Sequence, residues 1–515
     1  MKQFVPNPSS LFAPYFGLPR LVRPARVVGG AWRLLLPVVL LLIVSELRAQ
    51  TSPYTQITLG QNHTAALRAD GTLWAWGYNG YSQLGNGNNT GRTLPAQVAA
   101  PVAALPGTRW SGVTSGSNHI MALRTDGTLW AWGYNGYNQL GDGTKTTRVS
   151  PVLVPVPAGA AAGTTWTQVS SREFHTLALR SDGTLWAWGY NVYGQLGDNT
   201  TTDRLSAVAV TTPAGAAAGT TWTQITTGRV HSLALRSDGT LWGWGYNAYG
   251  TVGDGSSTTR LVPTAVITPA GAAAGTRWTS ISGGDNFSLA LRSDGTLWAW
   301  GYNAYGQLGD ASTTISRVPI AVITPGTVGA GTRWAQVTAG DDHTSALRSD
   351  GSLWAWGYNN YGQIGDNTKN NRSTPVRETS NSTWGQLTAG QNNTLAVQAG
   401  TGLIFGTGYN AFGQLGNGST TNTLVFIASS APVLATRAAA TAPALAVYPN
   451  PAHARCQLPA LPAGTRLRLI DGQGRVVRVQ AAAPALSLEG LSAGLYLLTV
   501  QAPGLAPSST RVVVE

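Results

Sequence analysis

Two tryptophans separated by one small residue recur along this chain at a fixed interval. That interval constrains the fold more than any other feature. LWAWGYN begins at Leu73, Leu129, Leu185, Leu297 and Leu353, LWGWGYN at Leu241, and a divergent copy, LIFGTGYN, at Leu403. Trp74, Trp130, Trp186, Trp242, Trp298 and Trp354 are each 56 residues apart. A period of this length marks a supersecondary unit that buries its apolar surface only against neighbouring copies.

The unit starting at Trp166 divides into four short apolar runs, WTQV, HTLALRS, TLWAWG and LSAVAV. Asp182-Gly183 separates the middle two and reads as a two-residue hairpin loop, with Gly, Asn, Thr and Pro punctuating the rest. The pattern predicts a four-stranded antiparallel sheet per unit. Trp186 and Trp188 point to one face, Leu185 and Ala187 to the other, so both faces are apolar and each needs a neighbour. A Trp buries about 150–250 Å², which at about 25 cal/mol per Å² gives an upper bound near 4–6 kcal/mol before ordering costs. Trp74, Trp76, Trp130, Trp132, Trp186, Trp188, Trp242, Trp244, Trp298, Trp300, Trp354 and Trp356 are therefore read as structural, holding sheet to sheet. Sheets sticky on two faces close most naturally into a ring; a linear stack needs polar caps, and none is visible. The expectation is an all-β chain whose residues 51–428 form a seven-bladed β-propeller. Its last strand, Thr423–Ala428, is expected to complete the blade holding residues 54–76. Copy seven has Phe405-Gly406-Thr407 in place of Trp-Ala-Trp and Gly400-Thr401 in place of Asp-Gly, so it should pack least well.

Charge argues against nucleic acid. The formal net charge is +12, but residues 1–50 hold six of the basic residues against Glu46 alone, leaving 27 basic and 20 acidic residues elsewhere. Arg68, Arg124, Arg180, Arg236, Arg292 and Arg348 recur once per repeat, which spreads them around the molecule as solvated or locally paired charges and leaves no clustered basic face. Cys456 is the only cysteine, so no intrachain disulfide and no Cys-rich metal site is possible. His63, His119, His175, His231 and His343 share one repeat position, held in the other copies by Phe287 and Asn393. A metal ring there is conceivable, but replacement by Phe favours a hydrogen-bonded structural role. The Gly141-Asp142-Gly143 type segments lack the spacing of a calcium loop and read as turns; no metal or cofactor is expected. No Gly-x-Ser-x-Gly elbow or other catalytic constellation is visible.

The ends of the chain look like addresses. Leu34–Val44 is an apolar run of eleven residues behind a basic leader. It is too short to cross a bilayer as a helix, and with Ala49 near its end it reads as a signal peptide over residues 1–49. Residues 429–444, rich in Ala, Pro and Thr, read as a linker. Residues 445–515 carry short alternating strands, enough for a small β-sandwich.

With these residues in view, GYNVYGQLGDNTTTDR preceded by HTLALRSDGTLWAWG resembles the repeat of the regulator of chromosome condensation family, whose core is Gly-x-Asn-x-x-Gly-Gln-Leu-Gly. The resemblance spans about Tyr54 to Ala428 and implies a seven-bladed β-propeller. YPNPA, DGQGRVV and LSAGLYLLTV in the tail resemble the C-terminal sorting domain of type IX secretion cargo. That implies export, handling of residues 445–515 by the secretion machinery, and release or attachment at the outer cell surface. Relatives of the propeller family grip proteins, including a small GTPase and a β-lactamase. The nucleotide-exchange activity is not carried over, because no exchange-specific residues match here.

Function is sought where the copies differ. The turn before the His position carries Arg172, Glu173, Arg229, Asp285, Asp341 and Asp342, and the position after Gly-Tyr-Asn carries Asn360. These are the candidate binding residues, on loops that a rigid scaffold would present. The leading expectation is a secreted, non-catalytic propeller that binds an extracellular protein or glycan through one face. The alternative is a secreted polysaccharide lyase or hydrolase, and a third reading is a purely structural envelope component. A cavity with several non-repeated titratable groups would favour catalysis, and an aromatic, polar loop face would favour binding.

Overall fold

The computed structural model describes residues 52–429 and 451–515, apart from 102, 270–274, 327–330, 459–460, 462–464, 472–474, 482 and 502–507. The leader, the linker from residue 430 and the opening of the tail lie outside the described residues. Seven four-stranded antiparallel sheets follow one another, each built from four consecutive strands. In the third these are Trp166–Ser171, His175–Arg180, Leu185–Gly189 and Arg204–Ala209. The blades cover residues 54–97, 110–153, 166–209, 222–265, 278–321, 334–377 and 384–428.

The central hairpin differs from the expected two-residue loop. Arg180 N donates to Thr184 O at 3.1 Å and Gly183 N to Arg180 O at 2.9 Å, which makes a three-residue connection, Ser181–Gly183. Gly183 alone takes positive φ, at 77°, as a type I turn closed by a left-handed residue requires. Asp182 accepts from Thr184 N and Oγ1, and Thr184 Oγ1 in turn accepts from Trp186 Nε1 at 2.9 Å.

The two apolar faces pack as the alternation implies. Met121, Leu123, Leu129 and Leu140 of blade 2 bury against Trp166, Ala178, Trp186 and Trp188 of blade 3, while Leu177, Leu179 and Ala187 of blade 3 bury against Trp222, Ile225 and Trp244 of blade 4. The second Trp of each motif adds a directed bond. Trp132, Trp188, Trp244, Trp300 and Trp356 donate from Nε1 to a main-chain carbonyl of the preceding blade, that of Gln83, Gln139, Gln195, Thr251 and Gln307, at 2.9–3.0 Å. These indoles are fully buried, so an unpaired N–H there would cost about 1–3 kcal/mol.

The ring closes, though by another means than strand exchange. Thr423–Ala428 pairs with Ile404–Gly408 of its own blade, so every blade is one contiguous segment. The seam between blades 7 and 1 is sealed by the same contacts that join the others. Trp76 Nε1 donates to Gln414 O at 2.9 Å, Thr64 Oγ1 to Gln414 O at 2.7 Å, and Ile57, Ala66 and Trp74 pack on Leu395, Val397 and Ile404. In blade 7 the missing second indole is replaced from two directions. Thr407 Oγ1 donates to Gly362 O at 2.8 Å, and Phe426 fills the space beside Gly365 against Trp384, 5.2 Å between ring centroids.

The once-per-repeat arginines are buried, not solvated. Arg124, Arg180, Arg236, Arg292 and Arg348 lie 4.9–5.2 Å above Trp110, Trp166, Trp222, Trp278 and Trp334. Desolvated cation–π contacts of this kind contribute up to about 2 kcal/mol. In the tail, a two-stranded and a four-stranded sheet enclose Cys456, Leu467, Leu469, Leu498 and Val512, the small sandwich that the alternation implies.

Candidate functional site

The first strand of every blade lines the axis, and its residue periodicity explains what the channel presents. Thr58, Thr114, Ser170, Thr226, Ser282, Thr338 and Thr388 put one hydroxyl per blade beside the axial cavity. Most of these oxygens also accept a main-chain N–H from the next blade, as in Ser115 N to Thr58 Oγ1 at 3.0 Å, Thr227 N to Ser170 Oγ at 3.1 Å and Ala339 N to Ser282 Oγ at 2.9 Å. The result is a polar cavity of about 230 Å³.

One mouth of this cavity is formed by the turns between first and second strands, and there the seven copies diverge. Six copies place Gly at the first turn position, because a Cβ on Gly60, Gly116, Gly228 or Gly340 would lie 1.9–2.2 Å from the ring of the following His. Blade 3 places Arg172 there instead. Its guanidinium donates to Gly283 O and Ala339 O, both at 3.0 Å, and to Asp341 Oδ1 at 2.9 Å. Asp285 Oδ1 lies 3.7 Å from its Nε. Arg172 therefore ties blade 3 to blades 5 and 6. Arg229 Nη1 pairs with Asp285 Oδ2 at 3.4 Å, and Ser117 Oγ donates to Glu173 Oε2 at 2.7 Å.

Burial sets the protonation of this cluster. Desolvation holds Asp285 well above the usual carboxylate range, reinforced by Asp341 and opposed by Arg172 and Arg229. Desolvation raises Glu173 and pushes Asp342 up to about 6; Asp342 accepts from Gln307 Nε2 at 3.2 Å. The structure thus gathers Arg172, Glu173, Arg229, Asp285 and Asp341 around the axial cavity, with Asp342 adjoining. Asn360 is not brought to it: exposed, it follows Asn359 and hydrogen-bonds Tyr358.

Two other sequence candidates are structural. His175, His231 and His343 bond through Nε2 to Ser232 Oγ, Ser288 Oγ and Thr394 Oγ1 of the next blade at 2.9–3.0 Å. Burial lowers all five repeat histidines to about 3, so they stay neutral. Among the described residues no group of three or more His, Cys, Asp or Glu could hold a metal ion. Asp142, Asp198, Asp254 and Asp366 close turns and pair with Arg148, Arg204, Arg260 and Arg372 at 2.6–2.7 Å.

Sequence reasoning missed one feature of this face. Tyr78, Tyr81, Tyr134, Tyr137, Tyr190, Tyr193, Tyr246, Tyr249, Tyr302, Tyr305, Tyr358, Tyr361, Tyr409 and Phe412 form an unbroken belt, each ring 4.9–6.5 Å from the next. Tyr78 and Phe412, 5.0 Å apart, close it. The belt encircles the turns, since Tyr78, Tyr134, Tyr190, Tyr246, Tyr302, Tyr358 and Tyr409 each donate their main-chain N–H to the residue before the His position. The signal was in the sequence as Gly-Tyr-Asn-x-Tyr.

Seven contiguous sheets closed about a hydroxyl-lined axis define a seven-bladed β-propeller. The sequence matches the RCC1-like domain over residues 36–266 and 159–455 and the secretion system C-terminal sorting domain over residues 446–515. It is 31% identical over 367 residues to the ultraviolet-B receptor UVR8 of Arabidopsis thaliana, covering 70% of this chain and 78% of that one. With the E3 ubiquitin-protein ligase HERC2 of Homo sapiens it shares 29% identity over 320 residues, 61% of this chain but only 6% of that protein. Yeast RCC1 (Prp20), solved with Kap60, superposes with a TM-score of 0.60 at 20% identity, covering 75% of this chain and 86% of that one. Human WBSCR16 gives 0.59 at 23%, covering 67% and 87%. The chain belongs to the RCC1-like domain family and carries a C-terminal sorting domain.

Proposed function

We propose that this chain is exported by the type IX route and acts outside the cell, or at its surface, as a non-catalytic binding propeller. Residues 445–515 engage the secretion machinery, and the propeller takes an extracellular protein or glycan on the face that carries the aromatic belt. One observation carries the reading. The charged departures from the repeat, Arg172, Glu173, Arg229, Asp285, Asp341 and Asp342, fall on four consecutive blades, whereas drift would spread charges over all seven turns at the mouth.

A second reading, a polysaccharide lyase or hydrolase, is favoured by the carboxyls of Glu173, Asp285 and Asp342, all held above their ordinary range, as acid–base groups often are. Against it, Asp285 and Asp341 are both engaged by Arg172, which suits bracing better than proton transfer.

The test passes the purified full chain over arrays of secreted proteins and outer-surface glycans, with the Asp341→Ala/Asp342→Ala double variant alongside. Saturable capture that weakens at least about tenfold in the variant supports the reading. Equal capture by both forms removes the axial mouth from the contact. Turnover of a polysaccharide, abolished in the variant, establishes the enzyme instead.

A further inference from the structure

Beside the axial cavity, the belt opens into a second hollow of about 280 Å³. It lies where the turn position before the His slot changes character. Five blades carry Asn or Asp there (Asn62, Asn118, Asn286, Asp342 and Asn392), whereas blades 3 and 4, adjacent in the ring, carry Phe174 and Val230. Phe174 stacks on Tyr137 at 4.5 Å with a 35° tilt and meets Tyr134 at 6.4 Å. Tyr190, Tyr193 and Tyr246 complete the aromatic wall.

The polar groups sit on one side. Glu173 reaches the hollow with one oxygen held by Ser117. Arg229 also reaches it, its side chain about half exposed at 51% and anchored at one nitrogen by Asp285. Asn286 contributes an amide. An apolar wall facing a carboxylate, a guanidinium and an amide is a mixed surface of a definite kind. A cationic ligand is opposed by Arg229, and an anionic one by Glu173. A neutral polyol escapes both penalties. Its vicinal hydroxyls donate to the carboxylate and accept from the guanidinium and amide, while an apolar C–H face lies against the rings. The volume sits at the lower end for ligand pockets, enough for one sugar ring and not for a chain.

We propose that the cleft between Phe174 and Arg229 is a subsite for a single neutral pyranose, the end or one unit of a glycan. This rests on the binding-face reading above and names its ligand class.

The test titrates the full chain by calorimetry and saturation-transfer NMR with methyl β-glucopyranoside, methyl β-galactopyranoside, methyl α-mannopyranoside and N-acetylglucosamine, and with tetramethylammonium as a cationic probe. At least one sugar is expected to bind with Kd near 1 mM, as its size allows. Phe174→Ala and Glu173→Gln should each weaken it about tenfold or more, and Asn286→Ala a few-fold. Lys369→Ala, on an exposed outer loop, should leave it unchanged. Unaltered thermal unfolding shows that the variants are folded. Saturation by tetramethylammonium alone, or sugar binding indifferent to Phe174 and Glu173, overturns the proposal. So does failure of every sugar; if the arrays still capture a protein, the binding face stands and only its assigned ligand falls.

Discussion

Substituting His119 by Phe should make this propeller more acid-resistant, by an amount that follows from burial. Burial lowers His119 from 6.5 to about 3, so between those values the unfolded chain binds a proton that the folded chain refuses. Stability is therefore present above pH 6.5 and lost as pH falls toward 3. From pH 8 to pH 5 one such histidine costs about 2 kcal/mol, and the five together about 10 kcal/mol, comparable with the whole stability of a typical domain. The raised carboxylates act in the opposite sense, gaining stability as pH falls through their folded values. Asp342, at about 6 against an ordinary 3.8, returns about 1.4 kcal/mol over the same interval. Asp285 and Glu173, also raised by burial, act in the same sense as Asp342, while the five-histidine term exceeds that of Asp342 several-fold. His119 suits the experiment because neither ring nitrogen has a hydrogen-bond partner among the described residues, so Phe strands no donor or acceptor there. Phe is also known to fit, since Phe287 occupies the same site over Gly284 that His119 occupies over Gly116. Urea unfolding followed by tryptophan fluorescence at pH 8, 6.5 and 5 reads the difference. Relative to the wild type, the variant should gain about 2 kcal/mol between pH 8 and pH 5. A gap that stays constant across this range would refute the claim that the ring is buried and neutral.

Two further outcomes follow from the packing. Arg172→Gly restores the residue of the other six copies and removes the tie across the axis, so it should lower stability at pH 7 by about 2–3 kcal/mol. The loss should shrink as pH falls, because Asp285, held above the usual carboxylate range by burial, gives up on protonation the charge that Arg172 balances; an unchanged thermal midpoint at pH 7 would show that the tie does not hold the blades. Phe426→Ala empties the space that an indole fills elsewhere and should cost about 3–5 kcal/mol; a loss under about 1 kcal/mol in urea unfolding would mean blade 7 tolerates the gap.

The architecture was legible because it depends on local periodicity. Alternation around Trp186 and Trp188 fixes which residues face which neighbour, and seven copies fix the number of sheets. Closure was misread because strand pairing across the seam and face packing across it place the same demand on Thr423–Ala428: both need an apolar strand. The hairpin was misread because Asp-Gly serves a two-residue loop and a bulged three-residue loop alike. Of the site, the variable turn was visible, since Arg172 and Asp341 break the repeat. Their meeting was not, because residues 169 apart in sequence become neighbours only through the curvature of the ring. The tyrosine belt was hidden by its own regularity: Tyr134 and Tyr137 never vary enough to stand out as anything but scaffold.

That each blade is one uninterrupted segment has a consequence for how such a molecule changes over generations. A stretch of 56 residues, duplicated, excised or exchanged, carries its own hairpins, both adhesive surfaces and its one turn at the mouth. Recombination between copies this alike can therefore reshuffle what the mouth recognises without asking the rest of the chain to refold. The charged sector spanning blades 3 to 6 is then a replaceable cartridge in a standard housing.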